Sequence, residues 1–485
     1  MNEIRRFDDK KKSIGLGIGI RHLQCFLIFF GQAVAHSLRV NLSVGIVAMT
    51  DKSGDSEYGI YSWDEQTRSV ILSSFFFGYV ITQVPSGQLA HKYGGHKVFF
   101  WGLFSCSLLA ILTPICADFG GWQLVCALRY IQGICQGSLQ PSSSNLLSKW
   151  SPVKELGLMG TISYSGSQLG TALMLCVSGE ITASFMGWPG LFYVSGGMGC
   201  LWGLLFYVFG ASSPSESQFI SEEEKMYIET LSVPSAESPK DKNEESNRAL
   251  PTPWLDIMTS VPFLCVVVVH CANNWAYNIL LTQIPTYIKG VLQMDIKKNA
   301  LFSSLPFWVM LALSYFFLII SEVLRKKQCM SMSVSRRFFN TIGNWIPAVG
   351  LICLGYLGKE NETLVILLLM INVGMMAATY LGFCLNNIDL SPNFAGTLMG
   401  ISNCIGHTTS IMAPLSVGFI VTDEKNPEQW RIVFFIAAAF LFIGNLLFIV
   451  FGKFEPQYWN EPMPVSVKTS RKNSQHSVYK ETKHN

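Results

Sequence analysis

Residues 212–256 read SSPSESQFISEEEKMYIETLSVPSAESPKDKNEESNRALPTPWLD. This is the longest internal hydrophilic stretch of the 485-residue chain, and its flanks decide the fold. Six apolar runs of bilayer-crossing length precede it and six follow. Within it, Ser221-Glu222-Glu223-Glu224 is a capping-box pattern that predicts a short surface helix. Pro234, Ser235, Pro239 and the charged run around them read as flexible linker.

A membrane-crossing helix needs about 20 predominantly apolar residues. Reading outward from the linker, the first six spans fall at 23–49, 69–90, 98–117, 122–147, 156–182 and 190–211. The second six fall at 260–288, 299–323, 338–357, 364–386, 396–421 and 431–452. The expected organisation is a cytoplasmic N-terminal segment (1–22), a six-helix half (23–211), the linker (212–256), a second half (257–452) and a Ser- and Lys-rich tail (453–485) expected to be disordered. The fold class is thus an all-α membrane protein of twelve transmembrane helices in two six-helix halves. Segment 1–22 is polar and basic, and the run behind it is too long for a signal peptide.

Composition agrees. Hydrophobic residues make up 49% of the chain and charged residues 14%, against about 25% in a soluble domain. Forty-one glycines suit helices that approach closely in lipid. No basic patch interleaves with aromatics, so nucleic acid is not an expected partner. The 13 cysteines occur singly and without C-x-x-C, as packing residues rather than metal ligands. G-x-S-x-G, H-E-x-x-H and G-K-[ST] are absent, so neither an enzyme nor a cofactor is expected.

Lys and Arg distribute unevenly. The N-terminus, linker, tail and loops on their side hold 25 of them, and the opposite loops hold 7. That bias predicts both termini in the cytoplasm. Asn361-Glu362-Thr363 then falls in an outer loop, making Asn361 a candidate glycosylation site, whereas Asn41-Leu42-Ser43 lies inside span one.

Two residues resist the lipid reading. Arg39 and Arg129 lie well inside spans one and four, where a charge costs about 2.5–3.5 kcal/mol on insertion scales. The acidic residue within a span of that half, Glu180, sits near a helix end. Two arginines without a mid-membrane carboxylate imply an anionic ligand, because a guanidinium has five donors to satisfy. In span four, Arg129, Gln132 or Gly133, Gln136 and Gln140 recur at one-turn steps; in span one, His36, Arg39 and Ser43 do the same. Span seven places Asn273 and Tyr277 on one face beside Asn274 and Asn278, and span ten carries Asn372, Thr379 and Asn386 at steps of seven. Spans one, four, seven and ten are equivalent members of four three-helix repeats, the layout of a carrier with its site near the membrane midplane. The competing reading of such amides is interhelical hydrogen bonding. His270 and His407 read as packing residues.

At these residues the chain resembles the anion:cation symporter family, solute carrier family seventeen, of the major facilitator superfamily. The matching stretches are Leu38-Arg39-Val40-Asn41-Leu42-Ser43-Val44, Gly78-Tyr79-Val80-Ile81-Thr82-Gln83-Val84-Pro85 and Arg129-Tyr130-Ile131-Gln132-Gly133. Gly187-Trp188-Pro189-Gly190, Ile220-Ser221-Glu222-Glu223-Glu224-Lys225, Asn273-Asn274-Trp275 and Asp389-Leu390-Ser391-Pro392 extend the likeness over about residues 20–455. It is nearest to the insect-type inorganic phosphate cotransporters. The resemblance implies that Arg39 and Arg129 act at a central anion site with Tyr79 near it. Gln136, Asn273 and Tyr277 complete the candidate substrate-binding set. Leu72 stands where vesicular glutamate transporters have histidine, and Asn273 where they have arginine, which disfavours glutamate. Gln136 replaces the glutamate that sialin-like members use for proton coupling. Sodium is therefore favoured over a proton as coupling ion.

Gly87-Gln88-Leu89-Ala90-His91-Lys92-Tyr93-Gly94-Gly95 resembles the superfamily's gating signature, with His91 where Asp is common and Gly87 allowing close approach. Glu322 with Arg325 is the expected second-half counterpart. The expected function is secondary transport of small anions by alternating access, inorganic phosphate first, by a monomer in the plasma membrane or an intracellular vesicle or lysosome membrane. The alternatives are a vesicular or lysosomal organic anion carrier, for sialate or an acidic amino acid, and a sensor of the same fold that moves no solute.

Overall fold

The computed structural model describes residues 19–50, 61–63, 65–231, 252–293, 296–423 and 425–460. These form twelve helical passes. Span one is Ile20–Thr50 and span two Glu65–Tyr93. Gly95–Gln136 holds span three and most of span four, folded back at Gly121, whose φ of 57° and ψ of −154° suit only glycine. Span four resumes as Leu139–Trp150; spans five and six are Leu156–Ala183 and Pro189–Phe209. In the second half, spans seven to nine are Val261–Gly290, Ile296–Lys326 and Met332–Leu354. Span ten is broken into Glu362–Met375, a 3-10 turn Met376–Tyr380, and Phe383–Leu390; spans eleven and twelve are Ala395–Ile420 and Pro427–Phe451.

Among the described residues, eight helices have the length and hydropathy of a membrane span, one of them covering spans three and four. Spans five, nine and eleven fall short. They are rich in Ser, Thr, Asn and Gly, or, in span nine, carry Arg336 and Arg337, and much of that polarity is buried against neighbouring helices.

Glycine sets the closest crossings. A side chain at Gly78 would run into the carbonyl of Tyr130, and one at Gly133 into that of Phe75, so spans two and four meet backbone to backbone. Gly166 and Gly170 of span five lie equally close to the carbonyls of Phe29 and Ala33 in span one.

The linker region starts with a helix, Glu222–Leu231, docked on the first half. Glu224 accepts from the backbone N–H groups of Ile20 (2.9 Å) and Arg21 (3.1 Å), satisfying donors that open span one. Its carboxylate also pairs with the Arg21 guanidinium at 2.9 Å, and Glu155 pairs with Arg21 at 2.8 Å. The Tyr227 hydroxyl donates to Glu155 at 2.9 Å. The second half has its own buried pair at the same end, Arg336 with Asp389 at 2.8 Å. Residues 232–251 of the linker lie outside the described residues. Of the tail expected to be disordered, 453–460 pack on the second half: Trp459 is buried and Asn460 accepts from the Ser391 hydroxyl at 2.7 Å. Residues 461–485 lie outside the described residues, as do 1–18.

Candidate substrate cavity between the halves

A cavity of about 180 Å³ lies between the halves. Its wall includes four of the six residues expected to bind substrate: Arg39, Tyr79, Asn273 and Tyr277. Arg39 is half-buried, and its guanidinium sits over the ring of Tyr79 at 4.6 Å and that of Phe75 at 5.4 Å. Its Nε is buried without a hydrogen-bond partner, and among the described residues no carboxylate lies within ion-pair distance. Cation–π contacts recover roughly 0.5–2 kcal/mol each and leave the N–H donors unsatisfied. Tyr79 is held by Asn403, whose amide donates to the phenol oxygen at 3.2 Å and to Gln83 Oε1 at 3.0 Å. Asn273 donates to Asn344 at 3.4 Å, and Tyr277 reaches Gln168 at 3.5 Å.

Arg129 and Gln136 are placed otherwise. Neither is part of the cavity wall. Arg129 is fully buried behind span one, where its guanidinium donates to the carbonyls of Leu38 (3.4 Å) and Arg39 (3.2 Å) and to Gln132 Oε1 (3.0 Å). It also lies over Phe75 at 5.0 Å, the ring that touches Arg39. Gln136 donates to the Ala35 carbonyl at 2.9 Å. The polar stripe of span four therefore grips the backbone of span one along residues 35–39, directly beneath Arg39. Only its last member, Gln140, faces the cavity, while accepting from Gln32 at 3.1 Å. The stripe of span ten divides the same way: Thr379 faces the cavity, whereas Asn372 and Asn386 are buried away from it.

Residues that the helical stripes did not single out complete the wall: Tyr164 and Gln168 on span five, Asn387 on span ten and Asn403 on span eleven. Gln168 donates to the Tyr380 hydroxyl at 2.6 Å and so ties the two halves. His270 and His407, read as packing residues, face the cavity with His36. A histidine in an apolar helix carries no sequence mark that separates these roles; the crossing angles of spans seven and eleven decide it.

The cavity is closed at the linker end, where spans two and four pack on span eleven. A side chain at Gly87 would meet the Gly396 carbonyl oxygen at 2.6 Å. Gln88 donates to Thr397 at 2.8 Å, Ser144 to the Ala395 carbonyl at 3.3 Å, and the His91 ring lies 5.2 Å from that of Phe394. Glu322 and Arg325 pair with each other at 2.6 Å within span eight, both partly exposed, so this pair links neighbouring turns of one helix. Asn361 is exposed at the far end of the bundle, at the start of span ten. Asn41 is buried in span one and donates to Ser195 at 2.9 Å.

Comparison with known proteins follows the same architecture. Residues 26–414 match the family model described as Major Facilitator Superfamily. A Drosophila melanogaster protein named "Putative inorganic phosphate cotransporter" is 37% identical over 467 residues, 91% of this chain and 86% of that protein. Sialin of Homo sapiens is 33% identical over 90% of each chain. Vesicular glutamate transporter 1 of Bos taurus is 31% identical over 93% of this chain and 80% of its own length. Among solved structures, a bacterial homologue of the iron transporter ferroportin in an outward-facing state superimposes with a TM-score of 0.62 at 11% identity. It covers 89% of this chain and 99% of that one, a likeness of fold alone. The relatives named for a function are transporters rather than enzymes, and the chain is a multi-pass membrane transporter. It belongs to the anion:cation symporter family, solute carrier family seventeen, of the major facilitator superfamily.

Proposed function

We propose that the chain carries a small anion by alternating access, with Arg39 as the residue that holds the oxyanion. The observation that carries this reading is a guanidinium on the wall of a central cavity with a buried Nε that bonds to nothing. Charge-assisted, bidentate hydrogen bonds to a carboxylate or phosphate satisfy such a group in a way aromatic faces do not. Arg129 supports the site from behind by fixing the backbone that presents Arg39, and Gln136 does the same one turn earlier. Tyr79, Asn273 and Tyr277 shape the pocket. Gly87 and His91 belong to the seam that closes one end, and the cycle opens that seam while closing the other.

Inorganic phosphate is the favoured cargo, in line with the name of the Drosophila relatives. A second reading, an organic acid such as sialate or an acidic amino acid, draws support from the cavity's size. About 10–15 Å³ of such space admits one water, so about 180 Å³ exceeds the needs of a five-atom oxyanion. Gln136 in place of a carboxylate favours sodium as coupling ion; since its amide donates to the Ala35 carbonyl outside the cavity wall, the coupling ion turns on the cavity itself. With both termini cytoplasmic, as the Lys and Arg bias argues, a conformation closed at the linker end is closed to the cytoplasm. The cavity lies wholly within one chain, which suits a monomer.

Counterflow in proteoliposomes offered labelled phosphate, urate, sialate and glutamate tests the reading, with sodium and pH varied independently. Phosphate exchange supports it. Exchange of an organic acid alone selects the second reading, and binding without any exchange selects a sensor.

A further inference from the structure

The cavity wall contains no Asp or Glu among the described residues, yet it contains three imidazoles. His36 has one ring nitrogen engaged, its Nδ1 donating to the Gln32 carbonyl at 3.0 Å. His270, on span seven, is 8% exposed, and His407, on span eleven, is half-buried. The Nδ1 atoms of both are buried and without a hydrogen-bond partner. The two rings belong to one patch: a side chain at Gly406 would come within 3.5 Å of His270 Nε2. His407 packs edge-on against Tyr79 at 4.7 Å, and Tyr79 in turn carries the Arg39 guanidinium at 4.6 Å.

An unpartnered ring nitrogen in a buried wall costs energy unless something fills it. The titratable groups that face this patch come from several helices. Span one supplies Arg39 and His36, span two Tyr79 and span five Tyr164; span seven adds Tyr277, and span ten Tyr380 and Cys384. None of them is a carboxylate that would hold a proton on the imidazoles in the empty state. Span twelve, packed on span seven, carries its titratable groups, Glu428 and Arg431, in its first two turns at the far end. The nearest ion pair of span ten, Arg336 with Asp389, is closed on itself. Beside Arg39 an extra positive charge is therefore unfavourable until an anion arrives. A bound oxyanion reverses that balance, because an opposite charge within about 4–6 Å favours the charged ring.

We propose that His270 and His407 together form a proton-binding site that loads with the anion: one imidazole Nδ1 takes a proton from hydronium or buffer acid in the bulk solvent as the oxyanion settles on Arg39. The lone pair of that nitrogen forms the new N–H bond, and the added positive charge offsets one negative charge of the cargo. Proton and anion then enter the cavity as a pair. This deepens the anion-carrier reading and rests on it.

Calorimetric titration of the purified full-length protein with inorganic phosphate, in buffers of different ionisation heat near pH 7, counts the protons taken up per anion bound. The phosphate share is known from titrating phosphate alone. The proposal expects about one further proton per anion, and an affinity that weakens by up to about tenfold per pH unit as protons become scarce. In the double variant His270→Gln, His407→Gln the further proton disappears. Binding by the wild type with no further proton overturns the proposal while sparing the carrier reading, as does an undiminished proton count in the variant. A wild type that gives no heat with phosphate in any of the buffers overturns both the proposal and phosphate as the cargo. Should the variant not fold or not bind, the wild-type count alone decides.

Discussion

Replacing Gly87 tests whether the closed seam is one station of a transport cycle. A Cβ built there lies 2.6 Å from the Gly396 carbonyl oxygen and 3.0 Å from both the Gly396 carbonyl carbon and the Thr397 Cα, all backbone atoms that cannot rotate away. Contacts of this kind normally lie at about 3.3–3.6 Å, so spans two and eleven must part by roughly 0.7 Å to admit even alanine. Overpacking a close interface costs about 1–3 kcal/mol. The strain falls only on the conformation closed at the linker end, so its population relative to the alternative drops by roughly 5- to 150-fold, at 1.4 kcal/mol per tenfold. Gly87→Val should exceed Gly87→Ala. Distances between spin labels at the linker ends of spans two and eleven, read by pulsed electron resonance, should shift to longer values in that order. Uptake should fall in parallel while expression holds. Unchanged distances and uptake in Gly87→Val would refute the seam as a gate.

Three further outcomes follow from contacts already described. Arg129→Ala should abolish uptake with near-normal membrane expression, and Arg129→Lys should not restore it, because an ammonium cannot span the carbonyls of Leu38 and Arg39, Gln132 and the Phe75 face together; uptake by Arg129→Lys at the wild-type rate would contradict the clamp. Glu224→Gln should lower the thermal unfolding midpoint, since breaking a buried ion pair costs about 3–5 kcal/mol; an unshifted midpoint would mean that the linker helix does not staple span one. When the chain is made in glycosylating cells, Asn361→Gln should remove a glycosidase-sensitive mobility shift; a wild-type chain without that shift would count against the assigned orientation.

The twelve-pass fold was legible because lipid leaves little choice. Long apolar runs must be helices, and the reversal between spans three and four was bracketed to within a few residues of Gly121. Arg39 was legible for the same reason, as a charge too costly to leave unexplained. Arg129 was legible as a charge in lipid depth but not in its placement behind span one. Periodicity puts Arg129, Gln132 and Gln136 on one face, yet whether that face looks into a cavity or onto a neighbouring backbone depends on how closely spans two and four approach. That approach is set by Gly78 and Gly133, whose partners cannot be paired from one sequence. The second-half wall was the least readable, because span ten tightens to a 3-10 turn at Met376–Tyr380 and shifts the face that later residues present. Glu322 and Arg325 have the right types for a latch; spacing i to i+3 pairs them within one helix, and Arg325 also feels the charge of Glu155 in the first half.

Anion binding by an Arg39→Gln protein with Arg129 intact, measured in detergent with the substrate that wild-type counterflow identifies, addresses the central claim most directly. Removing one partner of a hydrogen-bonded charge pair costs 2 kcal/mol or more, so affinity should fall by at least about thirtyfold while the fold persists. Wild-type affinity in that variant would contradict the account, since the anion would then be held by something other than Arg39.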